Sequence, residues 1–429
     1  MTRRARKHVF FSLWNLPYFC SITKTSTMTK ITSILLWGLL VSVAVQAQTD
    51  EPPEEEAEHV ELFTTPTAKM AAATSDFGYN LFRALASRQD KANVFLAPIA
   101  VSAVLTQVAM GASERAQGQL FRALRYHTLQ DPRLHDTLKD LLASLKTGNK
   151  GLSAAARLYL ARRLRLKQDF FTAVERQYGV RPQALQGGGK DTKDINDWVA
   201  AETGDKVARV LAKPLPRNPG VNAVAGAFFQ GTWATEFRPP SLQNFQQEGK
   251  APVRVPVMQQ ENYPVKMGVD SDLSCTIAQI LLRNQVSMFV FLPQEVTTNL
   301  TALEDTLTAE FVQDLSTTLH SAHVTLALPV LKFSYATDLV TLLPDIGLAD
   351  WMADQDLEKI AAQAAKLVTV NHKVVMETAS EGDAPPPATS ATAHLSYRVD
   401  RPFLFLIRDE SSGALLLIGR VVDPKALTA

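Results

Sequence analysis

Phe403-Leu404-Phe405-Leu406-Ile407, followed beyond a turn at 409–413 (DESSG) by 414–422 (ALLLIGRVV), is the stretch whose reading decides the fold. Both runs are rich in β-branched and aromatic residues, and they read as two adjacent strands joined by a short turn. Toward the N-terminus, 323–328, 288–292 (stopped by Pro293), Val253/Val255/Val257 and Ala154/Ala156/Leu158/Leu160 give further strand patterns. Helices are expected between them at 170–178, 195–201 and 303–319. The first part of the chain is helical. Phe77, Leu81, Phe82 and Leu85 share one helical face, and Leu134, Leu138, Leu141, Leu142 and Leu145 mark another helix after Pro132. Pro98 opens a helix that runs to Met110 and stops at Gly111. Proline is tolerated at that first position because its missing N–H would have no helical partner. Helices first, then mixed strands, closing on a strand pair, predict an α+β protein with large antiparallel or mixed sheets, not a doubly wound α/β fold.

The chain has 429 residues, 44 basic and 43 acidic, and is 46% hydrophobic. That balance excludes a wholly disordered chain and a polytopic membrane protein, and it gives no general reason to expect nucleic-acid binding. One segment stands apart. Residues 34–45 (ILLWGLLVSVAV) form a 12-residue apolar run broken by Gly38 and Ser42. It is short for a membrane span and fits the apolar region of a secretory signal, with Lys30 before it and the small residues Val45 and Ala47 after. Cleavage is expected before Gln48, with Met28 as a start and 1–27 as an upstream extension or alternative start; a membrane anchor is the alternative. Losing residues 1–47 removes six basic and no acidic residues, so a net charge of +1 becomes −5. Cys20 leaves with them, and Cys275 alone cannot form an internal disulfide. Residues 48–58 are acidic with two prolines, so 48–70 is expected as a disordered tail. A single domain is expected over 71–429, with no linker-like stretch before 378–394.

No G-x-S-x-G, H-E-x-x-H, Walker A or G-x-G-x-x-G motif occurs, so no catalytic residues, cofactor or metal are expected. His320 and His323 lack a third ligand at regular spacing, and Asp270 with Asp272 lack the rest of a calcium loop. An enzyme of unrecognised type is the alternative. Asn299-Leu300-Thr301 is the only glycosylation sequon. Arg162-Arg163-Leu164-Arg165-Leu166-Lys167 is the densest basic run. It reads either as solvated surface or as a site for a sulfated polysaccharide, with Arg163 and Arg165 on one face of an extended segment.

Val399-Asp400-Arg401-Pro402 followed by 403–407 resembles the serpin signature, and 414–424 resembles the closing serpin strand. Asn222-Ala223 with Phe229-Gln230-Gly231-Thr232-Trp233 and Phe237 resembles the third strand of the main serpin sheet and the turn after it. Residues 93–112 resemble the second serpin helix, with Ala97-Pro98 where Ser-Pro is usual, and Ile195-Asn196-Asp197-Trp198-Val199 with Thr203 matches another family stretch. The resemblance covers about 71–424 in serpin order. It implies three β-sheets, eight or nine helices and an exposed reactive loop at about 378–398. Within the family, 270–279, 299–314 and His394-Leu395-Ser396 are similar to a secreted, non-inhibitory, anti-angiogenic and neurotrophic member. That closer likeness implies a heparin or heparan sulfate site at Arg162, Arg163 and Arg165, a collagen site at Asp270, Asp272 and Asp314, a glycan at Asn299, and a cell-surface receptor. It also implies a monomer of the extracellular space and matrix.

The loop admits a physical reading beside the resemblance. An inhibitory serpin, once cleaved, inserts its loop as a central strand, where every backbone N–H is needed. Here Glu381-Gly382 is followed by Asp383-Ala384-Pro385-Pro386-Pro387. Three prolines remove three donors, and each unsatisfied carbonyl costs ~1–3 kcal/mol. Burial of Asp383 adds to that. Loop residues through Leu395 and Ser396 are then expected to be cut as a substrate. An inhibitor of an extracellular serine protease is the alternative. A collagen chaperone of the secretory pathway is a further one, for which a KDEL-type tail would be needed where Ala426-Leu427-Thr428-Ala429 stands.

Overall fold

Thr65 starts the first helix. Its Oγ1 accepts the Ala68 N–H at 3.1 Å, and Pro66 takes the first helical position. The computed structural model describes residues 63–89, 91–216, 220–378, 380–384 and 395–427, all within one unit of the chain. The expected secretory segment, the expected cleavage site before Gln48 and the acidic stretch 48–58 lie outside the described residues. The tail expected over 48–70 ends sooner than its composition suggests, because residues 66–70 are helical and Met70 is fully buried.

In chain order the described elements begin with α1 (Pro66–Arg88), β1 (Val94–Leu96), α2 (Pro98–Met110), α3 (Glu114–Ala123), α4 (Leu134–Thr147) and β2 (Leu152–Leu160). Then come α5 (Gln168–Tyr178), β3 (Gln183–Ala184), α6 (Gly189–Glu202), β4 (Val221–Gly231), β5 (Arg238–Gln247), β6 (Lys250–Asp270), β7 (Cys275–Leu282) and β8 (Val286–Pro293). The remainder is α7 (Leu300–Thr306), α8 (Ala309–Thr318), β9 (His320–Pro329), β10 (Lys332–Asp338), α9 (Ala349–Ala353), β11 (Leu367–Thr378), β12 (Ser396–Arg398), β13 (Phe403–Asp409) and β14 (Leu415–Val421). The α+β class and the helix number agree with the sequence reading. The helix expected over 303–319 is two helices: Leu307 leaves helical geometry, and Thr308 caps α8 by accepting the Phe311 N–H at 3.0 Å.

Five strands form one sheet in the order β10-β11-β4-β2-β3. Hydrogen bonding joins the others into a nine-stranded sheet, in the order β1-β14-β13-β8-β7-β6-β9-β12 with β5 on β6. The three sheets implied by resemblance therefore run together into two, and β6 is the reason. Its first part pairs with β5, its last residues (266–270) pair with β7, and β9 pairs along 257–267. The strand bends between Gln260 and Tyr263, where the register shifts.

The decisive hairpin is β13–β14, and both strands are buried along their whole length. Helix α2 is apolar on all sides because it lies inside: every residue from Pro98 to Ala109 is buried. It crosses α1 at Gly78, where a Cβ would fall 2.5 Å from the Pro98 ring, so only glycine allows the contact. The five-stranded sheet is covered on both faces. Leu158, Leu160, Ala223, Ala225 and Phe229 face the main core. Tyr159, Val224 and Phe228 face a smaller cluster built from Ile195 and Val199 of α6 and from Val207, Val210 and Leu211 of the linker after it.

Candidate functional site

The seam between β4 and β11 is where an added central strand would have to enter. These two strands are directly paired, in parallel, from Asn222 opposite Thr369 to Gly231 opposite Thr378. Polar side chains fasten one end: Thr369 Oγ1 donates to Asn222 Oδ1 at 2.9 Å, and Asn222 Nδ2 donates to the Tyr159 carbonyl of β2 at 3.3 Å. Midway, His372 is 1% exposed. Its Nε2 accepts the Ala97 N–H at the start of α2 (3.1 Å), so Nδ1 carries the proton toward the Ala225 carbonyl of β4 (3.0 Å). Burial holds the imidazole neutral and lowers its pKa to about 4.

Two lysines close the seam from the α6 side. Lys206, in the linker after α6, sits 5.2 Å from the Phe228 ring of β4 and 3.5 Å from the Glu377 carboxylate of β11, so one ammonium spans both strands. Lys373 of β11 reaches the other way and donates to the Ala208 carbonyl of the linker at 2.6 Å; burial lowers its pKa.

Just beyond β11 the chain stays parallel to the segment that follows β4. Phe237 N–H donates to the Ser380 carbonyl at 2.8 Å and Glu236 N–H to the Asp383 carbonyl at 2.7 Å, with Thr235 and Asp383 as parallel partners. The 232–234 segment pairs in turn with the end of β7, through Ala234 N–H to Leu281 O at 3.0 Å and Arg283 N–H to Thr232 O at 2.8 Å. Arg283 and Asp383 form an ion pair across this patch. Gly382 is required here, because a Cβ would lie 2.6 Å from the backbone of Thr235 and Glu236. Pro385, Pro386 and Pro387 lie outside the described residues. At the far end of the loop, Ser396 begins β12 opposite Thr325, and the Leu395 carbonyl accepts the Thr325 N–H at 2.8 Å. The Leu395–Ser396 bond is therefore tethered to β9 through its backbone, while Leu395, Ser396 and Arg398 remain exposed and Tyr397 is buried.

Arg162, Arg163 and Arg165 are all exposed; Arg162 and Arg163 lie in a turn, and the chain becomes extended only from Arg165 onward. Leu164 between them is buried and pins the turn to the core. The Gln363 side chain holds it from outside, donating to the Arg163 carbonyl and accepting the Arg165 N–H, each at 2.9 Å. The acidic residues divide. Asp270, at the end of β6, is buried, and its Oδ1 accepts the Leu273 N–H at 3.0 Å, shaping the β6–β7 turn. Asp272 at the turn tip and Asp314 on α8 are exposed. Met267 pairs with His320, two residues past the end of α8, so the β6–β7 turn emerges beside that end of the helix. Cys275, closing the turn, is buried, and burial pushes its thiol pKa far up, which makes it unreactive. Asn299 is exposed and caps α7 by accepting the Thr301 N–H at 2.9 Å. The cap uses Oδ1, while a glycan would take Nδ2.

Comparison with known proteins accords with this architecture. A model of the serpin (serine protease inhibitor) family matches residues 72–424. The chain belongs to the serpin family. It is 37% identical to pigment epithelium-derived factor of Bos taurus, over 88% of this chain and 92% of that protein. It is 34% identical to the Homo sapiens protein of the same name, over 93% and 100% of the two chains. Alpha-2-antiplasmin of Bos taurus is 29% identical, over 87% of this chain and 76% of that one. Among solved structures, mouse protein-Z dependent protease inhibitor superposes with a TM-score of 0.76 at 24% identity, covering 83% of this chain and 98% of that one, a likeness of fold.

In this serpin the described residues hold no group of three or more His, Cys, Asp or Glu side chains placed to bind a metal ion, and His320 and His323 are simply exposed on β9. Sequence reading missed Lys206, Lys373, Arg283 and Gln363. Each acts on a partner more than 90 residues away, and no local pattern announces that.

Proposed function

We propose that this serpin is a secreted, non-inhibitory N-glycoprotein that binds collagen and heparin-like glycosaminoglycans in the extracellular matrix and signals to cells as an anti-angiogenic and neurotrophic factor. Its similarity to pigment epithelium-derived factor supports the reading. The observation that carries it is the hinge. Residues 380–383 stay hydrogen-bonded in parallel beside 234–237, just past the end of a β4–β11 seam that is already paired along its length. Asp383 and then Pro385–Pro387 would be the first residues to enter that seam. A proline there forfeits a ladder hydrogen bond, and a buried carboxylate without a cation is costlier still. Insertion must outrun release of the protease, so such a barrier makes the loop a substrate. Similarity to alpha-2-antiplasmin keeps an inhibitory reading in view, but the loop sequence opposes it.

Arg162, Arg163 and Arg165 are assigned to heparin or heparan sulfate. Asp272 and Asp314 are assigned to collagen, with Asp270 holding the turn that presents Asp272. Asn299 is assigned to the glycan. The test is incubation with trypsin-like and chymotrypsin-like serine proteases. A cleaved serpin with no SDS-stable complex and an unchanged melting temperature supports the proposal; a stable complex, or a rise of tens of degrees, would falsify it.

A further inference from the structure

The basic turn does not stand alone. Backbone pairing sets residues 165–167 antiparallel to 360–362: Ala362 N–H donates to Arg165 O and Lys167 N–H to Ile360 O, each at 2.9 Å, with Leu166 opposite Ala361. The two hydrogen bonds of Gln363 extend this clamp to Arg163. Lys359 therefore stands at the register position next to the partner of Lys167. At the other side, Ala161 N–H donates to Gly220 O and Val221 N–H to Lys366 O, each at 2.8 Å. The ends of β2, β4 and β11 thus lie side by side, and Lys366 is two strand spacings, about 10 Å, from the backbone of Ala161, the residue before Arg162.

Lys167, Lys359 and Lys366 are exposed, as are the three arginines. No ion pair among the described residues engages any of the six. Within two residues of either segment the exposed acids are Asp169 and Glu358, so on these segments the six exposed cations outnumber the exposed acids threefold. Cations drawn from two segments some 200 residues apart, fixed by main-chain bonds, make a preorganised row and not a floppy run.

We propose that the glycosaminoglycan site is composite: residues 359–366 supply Lys359 and Lys366 as its second half, and the row is built for an extended sulfated polysaccharide chain. This rests on the heparin-binding reading above and goes beyond it by adding the second segment. A single sulfate could be held by the turn alone; a row that crosses three strand ends suits a polymer with regularly repeated charge. The positions are invisible in sequence, because KIAAQAAK has only two basic residues in eight.

The test uses the full-length secreted protein and three paired variants: Lys359→Ala with Lys366→Ala, Arg163→Ala with Arg165→Ala, and Lys139→Ala with Lys250→Ala as an exposed-lysine control. Heparin affinity is measured from about 50 to 200 mM salt, with melting temperature as the check of folding. Each cation withdrawn should retain about one counterion, so the Lys359/Lys366 pair should flatten the salt slope by about two and weaken binding roughly tenfold at the low-salt end. The arginine pair should do at least as much, and the control pair little. If the arginine pair weakens binding but the Lys359/Lys366 pair does not, the composite site is wrong and the simpler turn site stands. If neither does, both readings fall. Equal loss in the control pair would reduce the effect to net charge and overturn the proposal.

Discussion

Acid should loosen the β4–β11 seam through His372. Its Nε2 accepts the Ala97 N–H and its Nδ1–H donates to Ala225, so a second ring proton would point at a backbone donor at the positive end of α2. The folded pKa of about 4 lies below the ordinary 6.5, so the folded state resists protonation where the unfolded chain accepts it. The sign follows by linkage: the stabilisation is full above about pH 6.5 and is lost as pH falls toward about 4. A gap of about 2.5 units corresponds to about 3 kcal/mol in all, of which about 2 is gone by pH 5. Other groups titrate nearby in pH. His135 has the same sign, while Asp76 and Glu304, whose carboxyl pKa values burial raises, have the opposite one. The measurement must therefore be a difference. Urea unfolding of wild type and of His372→Gln, whose amide offers one donor and one acceptor but does not titrate, should give stability curves that converge by about 2 kcal/mol between pH 7.5 and 5. A constant offset from imperfect fit of the glutamine does not matter. Parallel curves would show that His372 has no part in acid sensitivity.

Replacing Asp383 with Thr and Pro385–Pro387 with Ala should let the cleaved loop enter the seam in part, and the melting temperature should rise on cleavage where that of the wild type should not. Lys206→Met in that background should ease insertion further, since one ammonium spans β4 and β11; an unchanged rise would mean that the clasp is idle. Asp272→Asn with Asp314→Asn should weaken collagen binding and spare heparin, whereas Asp270→Asn should chiefly destabilise the β6–β7 turn; equal damage to both ligands by the first pair would defeat the two-site reading. Secreted protein should begin at Gln48 and carry one glycan at Asn299, and mass spectrometry that finds 34–45 retained would refute this. Thr308→Ala should cost about 1 kcal/mol of stability by uncapping α8, read by chemical denaturation.

What was legible in the sequence was periodic or local. The β13–β14 strands announce themselves because both are buried throughout, so apart from Arg408, Asp409 and Arg420 every position is apolar or small. Pro98 and Gly111 bound α2 for reasons any helix obeys. The misreadings share a cause. Residues 303–319 keep a helical period across Leu307, and only the capping hydroxyl of Thr308 reveals the break. The start of α1 hides in an uncapped-looking tail because Thr65-Pro66 is two residues of signal against eleven of acidic composition. Asp270 and Asp272 look equivalent at spacing two, yet one ends a buried strand and the other tips the turn. The same limit applies to function. The proposed barrier to loop insertion can be read from Asp383 and three prolines alone, since proline removes a donor in any context. That the seam is also held shut can be read only after folding, because Lys206, Lys373 and His372 each find their partners on a different element. The two devices act in series: the loop sequence raises the cost of the inserted state, and the clasps raise the cost of opening the closed one. Relieving either alone should therefore recover only part of the stabilisation that an inserted strand brings.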